Sequence, residues 1–155
     1  MLQHCKGNLI DLAISGKFDI IVHGCNCFNT MGGGIAREIK QRMPAAYAED
    51  CKTVQGDYNK LGNYTTAFVN NVLVVNAYTQ YSYSTREQDL FEYTAFSLIL
   101  QKICHEFPGR NLGLPYIGMG LASGNPDTIL DIIDDFAEKY TAGGTGTVTL
   151  VEFAK

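Results

Sequence analysis

The stretch His23-Gly24-Cys25-Asn26-Cys27-Phe28-Asn29-Thr30-Met31-Gly32-Gly33-Gly34-Ile35 gathers an imidazole, two thiols, two amides and three successive glycines. A run of glycines removes every Cβ from a place where backbone must approach a ligand closely. The stretch follows an apolar run at 18–22, which predicts a buried strand, and leads into a helical pattern over 35–42. A helix starting there aims unpaired backbone N–H groups back at the glycines, an arrangement suited to phosphate. Asn26 and Asn29 offer donors and acceptors to a sugar hydroxyl, and either is equally at home in a turn with left-handed backbone. His23 ends the predicted strand; with an ordinary pKa of about 6.5 it is a candidate proton donor at the loop. The alternative is a packed, hydrogen-bonded strand histidine. The glycine spacing fits neither GxGxxG nor GxxxxGK[ST], which excludes the dinucleotide-binding fingerprint and the P-loop.

A second glycine loop, Gly118-Met119-Gly120-Leu121-Ala122-Ser123-Gly124, follows another apolar run at 112–117. A helix opens after it at Asn125-Pro126-Asp127: an N-cap amide, a proline suited to the first helical position and a carboxylate that complements the helix dipole. Two glycine loops, each between a strand and a helix N-terminus, form the layout expected when a diphosphate lies across the carboxyl ends of a parallel sheet.

The His23-Gly24-Cys25-Asn26 strand end, the Met31–Ala36 loop and the Ile117–Gly124 loop resemble the macro domain, and within it the ADP-ribose 1″-phosphate phosphatases. The resemblance runs from about residue 6 to residue 153. It implies a three-layer α/β/α fold whose cleft binds ADP-ribose, with the diphosphate held by Gly32, Gly33, Gly34 and Ile35 on one side and by 118–123 on the other. It places Asn26, and after it Asn29, at the distal ribose. Asn8, beside Leu9, stands where the family usually has an acidic residue that accepts a bond from the adenine amino group; an asparagine carbonyl can accept the same bond without the charge. Phe153 stands where the family sets an aromatic ring against the adenine. His23 becomes the candidate acid. Glu92-Tyr93 replaces the Asp-Tyr of many relatives, so Glu92, or Asp89 one turn earlier, is the candidate for orienting water. The implied reaction is hydrolysis of ADP-ribose 1″-phosphate to ADP-ribose and phosphate, without metal or cofactor. Removal of ADP-ribose from a modified protein, or binding of ADP-ribose without chemistry, uses the same cleft.

Composition bounds the remaining classes. The 155 residues suit one domain with one good core, at 46% hydrophobic and 18% charged residues. A net charge of −4 with no Lys/Arg run argues against nucleic acid, while an anion held by backbone amides leaves no trace in a charge count. Met1–Cys5 lacks the pattern of a signal peptide, and no apolar run approaches a membrane span. Five cysteines, an odd number without a CxxC, read as reduced thiols of a cytoplasmic protein, and they lack the spacing of a zinc site.

The elements that must position these residues follow from hydrophobic period and punctuation. Strands are expected at 3–6, 18–22, 64–70, 72–78, 112–117 and 146–153, with Asn70-Asn71 as a hairpin turn. Helices are expected at 8–14 capped by Asn8, at 35–42, at 45–53 after an interruption by Pro44, at 91–107 as the longest, and at 129–136. Between them, 56–62 reads as a polar turn region and 79–86 as a polar, aromatic loop. Strands alternating with helices predict a mixed, mostly parallel sheet between helical layers.

Overall fold

The computed structural model describes residues 1–82, 90–119 and 124–154. Six strands form one sheet: β1 (Leu2–Gly7), β2 (Ile20–Cys25), β3 (Tyr64–Val69), β4 (Val72–Tyr78), β5 (Asn111–Pro115) and β6 (Thr147–Phe153), in the order β1-β6-β5-β2-β4-β3. All neighbours are parallel except β3 and β4, whose hairpin turns at Asn70 and Asn71 with φ of 53° and 63°. Asparagine tolerates that left-handed backbone better than other side-chain-bearing residues.

Period-two alternation sends β2 into two cores. Ile20 and Val22 face α4 (Tyr93–Glu106) and α5 (Pro126–Thr141), whereas Ile21 and Cys25 face α1 (Leu9–Ile14), α2 (Gly34–Arg42) and α3 (Pro44–Cys51). Helices on both faces make the three-layer α/β/α sandwich that the sequence predicts.

Several boundaries differ from the sequence expectation. β2 runs on through His23, Gly24 and Cys25 because each pairs with β4, down to Cys25 opposite Tyr78. Pro44 starts α3 at a position that needs no backbone N–H, so it begins a helix instead of merely interrupting one. The longest helix is α5, with 16 residues against 14 for α4, because Ala137 and Tyr140 continue the buried stripe of Ile129, Ile133 and Phe136. Phe91 is buried ahead of α4 and outside it.

One feature of the sheet creates the site. β2 is in register with β4 over six residue pairs, and with β5 over two, Ile20 with Leu112 and Ile21 with Gly113. Beyond those pairs the carboxyl ends of β2 and β5 flank an opening, at the position where chain connections leave in opposite directions across the sheet.

Candidate functional site

The opening is a cleft of about 470 Å³ lined by Gly24, Cys25 and Asn26 from the end of β2, by Met31–Ala36, by Thr79 and Gln80 after β4, and by Pro115–Gly118 after β5. None of these side chains carries a charge. An anion placed among these residues would be met by backbone N–H groups. α2 supplies them: Gly33 is its N-cap, no side chain caps it and its first turn holds no acidic residue, so its leading N–H groups keep their positive field.

The loop ahead of α2 is held in an unusual shape. Asn29, Met31 and Gly34 all have left-handed backbone, at φ of 60°, 41° and 57°. Non-glycine residues hold such angles only where neighbours over-determine them. Met31 is anchored in the core. Asn29 is anchored from behind: its Nδ2 donates to the Thr53 carbonyl at 2.9 Å, and its Oδ1 accepts from Lys60 Nζ at 2.6 Å. Lys60 Nζ also donates to the carbonyls of Cys27 (2.9 Å) and Val54 (3.1 Å), so one buried ammonium clamps three oxygens beneath the loop. By contrast, a Cβ on Gly33 would meet nothing within 4 Å, and its φ of −144° suits any residue. Its bareness serves access to the cleft.

The second loop is pinned at its described ends. Gly118 has φ +76°, and a Cβ there would overlap the Phe91 ring at 2.3 Å. The Gly124 N–H donates to the Gly118 carbonyl at 2.7 Å. Met119 packs its side chain against the core under α4 and α5. Gly120, Leu121, Ala122 and Ser123 lie outside the described residues. The N-terminus of α5 is spoken for, since Asn125 Oδ1 accepts from the Thr128 N–H and Asp127 sits in the first turn.

A second hollow of about 410 Å³ shares Gly34, Ile35 and Pro115 with the cleft and continues past them to Gly7, Leu9, Glu38, Val151 and Phe153. Leu9 and Phe153 thus fall together where an adenine was expected, and the Phe153 ring is largely exposed on the rim. Asn8 is not among the residues lining this hollow. Its Oδ1 accepts from the Asp11 N–H as the cap of α1, and its Nδ2 donates to Glu38 Oε1, both at 2.9 Å. The carbonyl expected to meet the adenine thus also serves the helix it starts.

Asn26 lines the cleft, yet its amide shapes the turn: Oδ1 accepts from the Phe28 N–H at 2.8 Å and Nδ2 donates to Thr30 Oγ1 at 2.7 Å. Asn29, expected second at the ribose, spends its amide on Thr53 and Lys60 and is not among the lining residues.

His23 requires the largest correction. Its side chain has no exposure, lies on the α3 face of the sheet and is not part of the cleft lining. Nε2 is 2.6 Å from Asn76 Oδ1. Burial lowers its pKa to about 4, with the Asn76 bond only partly opposing, so the imidazole is neutral at pH 7 and has no proton to give as an acid. The alternative of a packed strand histidine describes it. Burial likewise raises the Cys25 thiol and pushes Cys27 up to about 11, which removes both as nucleophiles.

Glu92 is half-buried and caps α4 with its backbone; its N–H donates to the Thr79 carbonyl at 2.7 Å, which ties it to the cleft wall. Tyr93 accepts a bond from the Asn125 N–H at 2.8 Å and so holds the entry to α5. Asp89 lies outside the described residues, as do Tyr83 and Arg86. Thr79 and Gln80 are among the cleft residues that sequence reasoning missed. Thr79 is buried and its hydroxyl has no partner, 2.9 Å from where a Gly24 Cβ would sit. Thr79 and Gln80 directly follow a central parallel strand, a placement that marks ligand-facing positions in open sheets. Glu38 was also findable: it is three residues after Ile35 and shares its helical face.

A further groove of about 820 Å³ lies along α5, but Asp131, Asp134, Asp135 and Glu138 line it and would repel a diphosphate. Among the described residues no cluster of three His, Cys, Asp or Glu could hold a metal ion, and no helix is long and apolar enough to cross a membrane.

The sequence is 33% identical over 150 residues to a phage T4 protein described as an uncharacterized 17.5 kDa protein of the tk-vs intergenic region, covering 90% of this chain and 92% of that one. It is also 33% identical over 94 residues to the ADP-ribose 1″-phosphate phosphatase of Candida albicans, covering 57% and 58% of the two chains. In fold it is similar to the Trypanosoma brucei macrodomain solved in complex with ADP-ribose, with a TM-score of 0.68 at 14% identity over 99% of this chain and 64% of that one. The model of the Macro domain family matches residues 22–133, which span the glycine loop, the splayed strands and the start of α5, and the chain is a member of that family.

Proposed function

We propose that this macro domain binds ADP-ribose along the joined hollows and hydrolyses ADP-ribose 1″-phosphate. The observation that carries the binding is the uncapped N-terminus of α2, opening onto a cleft whose described lining side chains carry no charge and which continues into a mostly apolar hollow. The α2 amides and the Gly118 side of the cleft take the diphosphate; the apolar hollow takes the base. The phosphatase activity is supported by the name of the Candida albicans relative and by the likeness of the loops. In the reaction, water attacks phosphorus, the bond from phosphorus to the ribose 1″-oxygen breaks, and that oxygen gains a proton. Glu92, or Asp89, orients the water. Backbone amides stabilise charge on the phosphoryl oxygens. With His23 buried and neutral, the departing oxygen takes its proton from solvent.

A second reading is favoured by the lack of any charged side chain among the described cleft residues: a binder of ADP-ribose that performs no chemistry. The deciding experiment incubates the protein with ADP-ribose 1″-phosphate, and separately with an ADP-ribosylated glutamate substrate, and follows released phosphate and released ADP-ribose. Phosphate release that Glu92→Gln or Asp89→Asn abolishes supports the phosphatase. Release of ADP-ribose from the modified glutamate alone makes the protein an ADP-ribosylhydrolase. ADP-ribose binding with neither product makes it a binder. For the binding itself, ADP-ribose should raise the melting temperature far more than AMP at equal concentration; equal shifts would overturn the diphosphate cleft.

A further inference from the structure

We propose that Glu38 selects the base, accepting a hydrogen bond from the exocyclic amine of an aminopurine and so admitting adenine over hypoxanthine. This inference rests on the reading that the hollow beside the cleft holds the base of ADP-ribose. Among the described residues lining that hollow, all but Glu38 are glycine or apolar, including Leu9, Ile35, Pro115 and Phe153. A single carboxylate in such a wall is the group able to tell one flat ring from another, because ring faces look alike to Leu9 and Phe153.

The orientation of the carboxylate is fixed by a chain of bonds that begins at a helix cap. The Asp11 backbone N–H can only donate, so Asn8 must turn Oδ1 toward it and Nδ2 away. Nδ2 then donates to Glu38 Oε1, and Arg42 Nη1 donates to the same oxygen at 3.1 Å. Arg42 is itself held by Asp11 at 2.6 Å, which closes the ring of contacts. Among the described residues both hydrogen bonds to the carboxylate end on Oε1. Oε2 therefore keeps its accepting capacity, on a side chain 30% exposed at the wall of the hollow. An acceptor there matches the amine at position 6 of adenine and opposes the oxygen at position 6 of hypoxanthine.

The same bonds dictate what Glu38→Gln does. The donors Asn8 Nδ2 and Arg42 Nη1 claim the new amide oxygen, so the amide nitrogen faces the hollow as a donor. The preference should then invert. The test titrates wild type and Glu38→Gln with ADP-ribose and with inosine diphosphate ribose by calorimetry, and checks each protein's melting temperature. Wild type is expected to favour ADP-ribose by roughly 10–100-fold, the range of a hydrogen bond to a charged group. Glu38→Gln is expected to favour the inosine ligand. Equal affinities in wild type, or an unchanged preference in a folded Glu38→Gln protein, would overturn the role of Glu38 while leaving ADP-ribose binding intact. Failure of wild type to bind either ligand would instead overturn the ADP-ribose reading beneath it. Should Glu38→Gln fold poorly, Asn8→Asp supplies the second measurement. It puts a second carboxylate against Glu38 without touching the hollow, and it should change the discrimination ratio if Glu38 sets it; an unchanged ratio would overturn the role.

Discussion

His23 Nε2 lies 2.6 Å from Oδ1 of Asn76, a residue 53 positions later on the neighbouring strand β4. The geometry fixes the tautomer. Asn76 Nδ2 donates to the Ala46 carbonyl at 2.9 Å, so Oδ1 faces His23 and Nε2 carries the hydrogen. The pair ties β2 to β4 and, through Ala46, to α3, and neither residue is among those lining the cleft.

Acid should therefore weaken the fold through His23. Its folded pKa of about 4 is below the unfolded value of about 6.5, so between those pH values the unfolded chain binds the extra proton. The contribution is complete above pH 6.5 and is lost as pH falls toward 4, on the order of 3 kcal/mol in all. Urea unfolding at pH 7.5 and pH 5 measures it. His23→Gln keeps a donor for Asn76 and should lose less stability between those pH values than wild type; equal losses would mean that His23 titrates normally.

At Gly33 the space is open and the backbone ordinary, so Gly33→Glu should fold with little change in melting temperature. A carboxylate at the mouth of the cleft should repel the diphosphate and weaken ADP-ribose binding at least ~100-fold, the effect of a few kcal/mol of like-charge repulsion. Gly34→Ala tests the neighbouring position differently: at φ +57° it should cost about 1 kcal/mol of stability by denaturant unfolding.

Lys60→Met should cost about 3 kcal/mol in denaturant unfolding, since it removes the donor shared by Cys27, Asn29 and Val54 and leaves the buried Cys27 carbonyl and the part-buried oxygens of the other two without it. Affinity for ADP-ribose should fall as well, because Asn29 loses the brace that holds its left-handed backbone. Stability within 0.5 kcal/mol of wild type, a threshold typical of neutral surface changes, would show that the clamp holds little.

Thr79→Val separates stability from binding. Its hydroxyl is buried without a partner, so the isosteric valine should raise stability by about 1 kcal/mol. If the hydroxyl meets the bound ligand, affinity for ADP-ribose should drop by about fivefold, the loss of one ordinary hydrogen bond. A melting scan with and without ADP-ribose reads both, and a variant that stabilises without weakening binding removes Thr79 from the ligand contacts.

Features of the site that depend on local chemistry were legible in the sequence. Asn8, Asn125 and the Asn70-Asn71 pair act within three residues of themselves, and each behaves as its type predicts. The first glycine loop, between β2 and α2, was legible for the same reason. His23 was not, because its fate depends on Asn76 and on the burial that α3 imposes, neither of which leaves a mark near position 23. Asn29 was misread in the same way: Lys60, 31 residues on, claims its carbonyl. Asn8 shows the limit from the other side. Its cap was correctly expected, yet its bond to Glu38, 30 residues on, left no mark near position 8.

The short register between β2 and β5 divides the sheet's ladder into two three-stranded panels, β1-β6-β5 and β2-β4-β3, joined at a narrow hinge of two residue pairs. Helix packing crosses the divide, but the backbone ladder hardly does. A ligand seated in the proposed cleft would contact both panels, at Gly24 and Cys25 on one and at Pro115 on the other, and would serve as the rungs that the strands themselves omit. Occupancy and cohesion of the sheet are then one quantity seen from two sides, so amides of β2 and β5 should exchange with solvent more slowly when ADP-ribose is bound, while those of the outer hairpin β3–β4 change least.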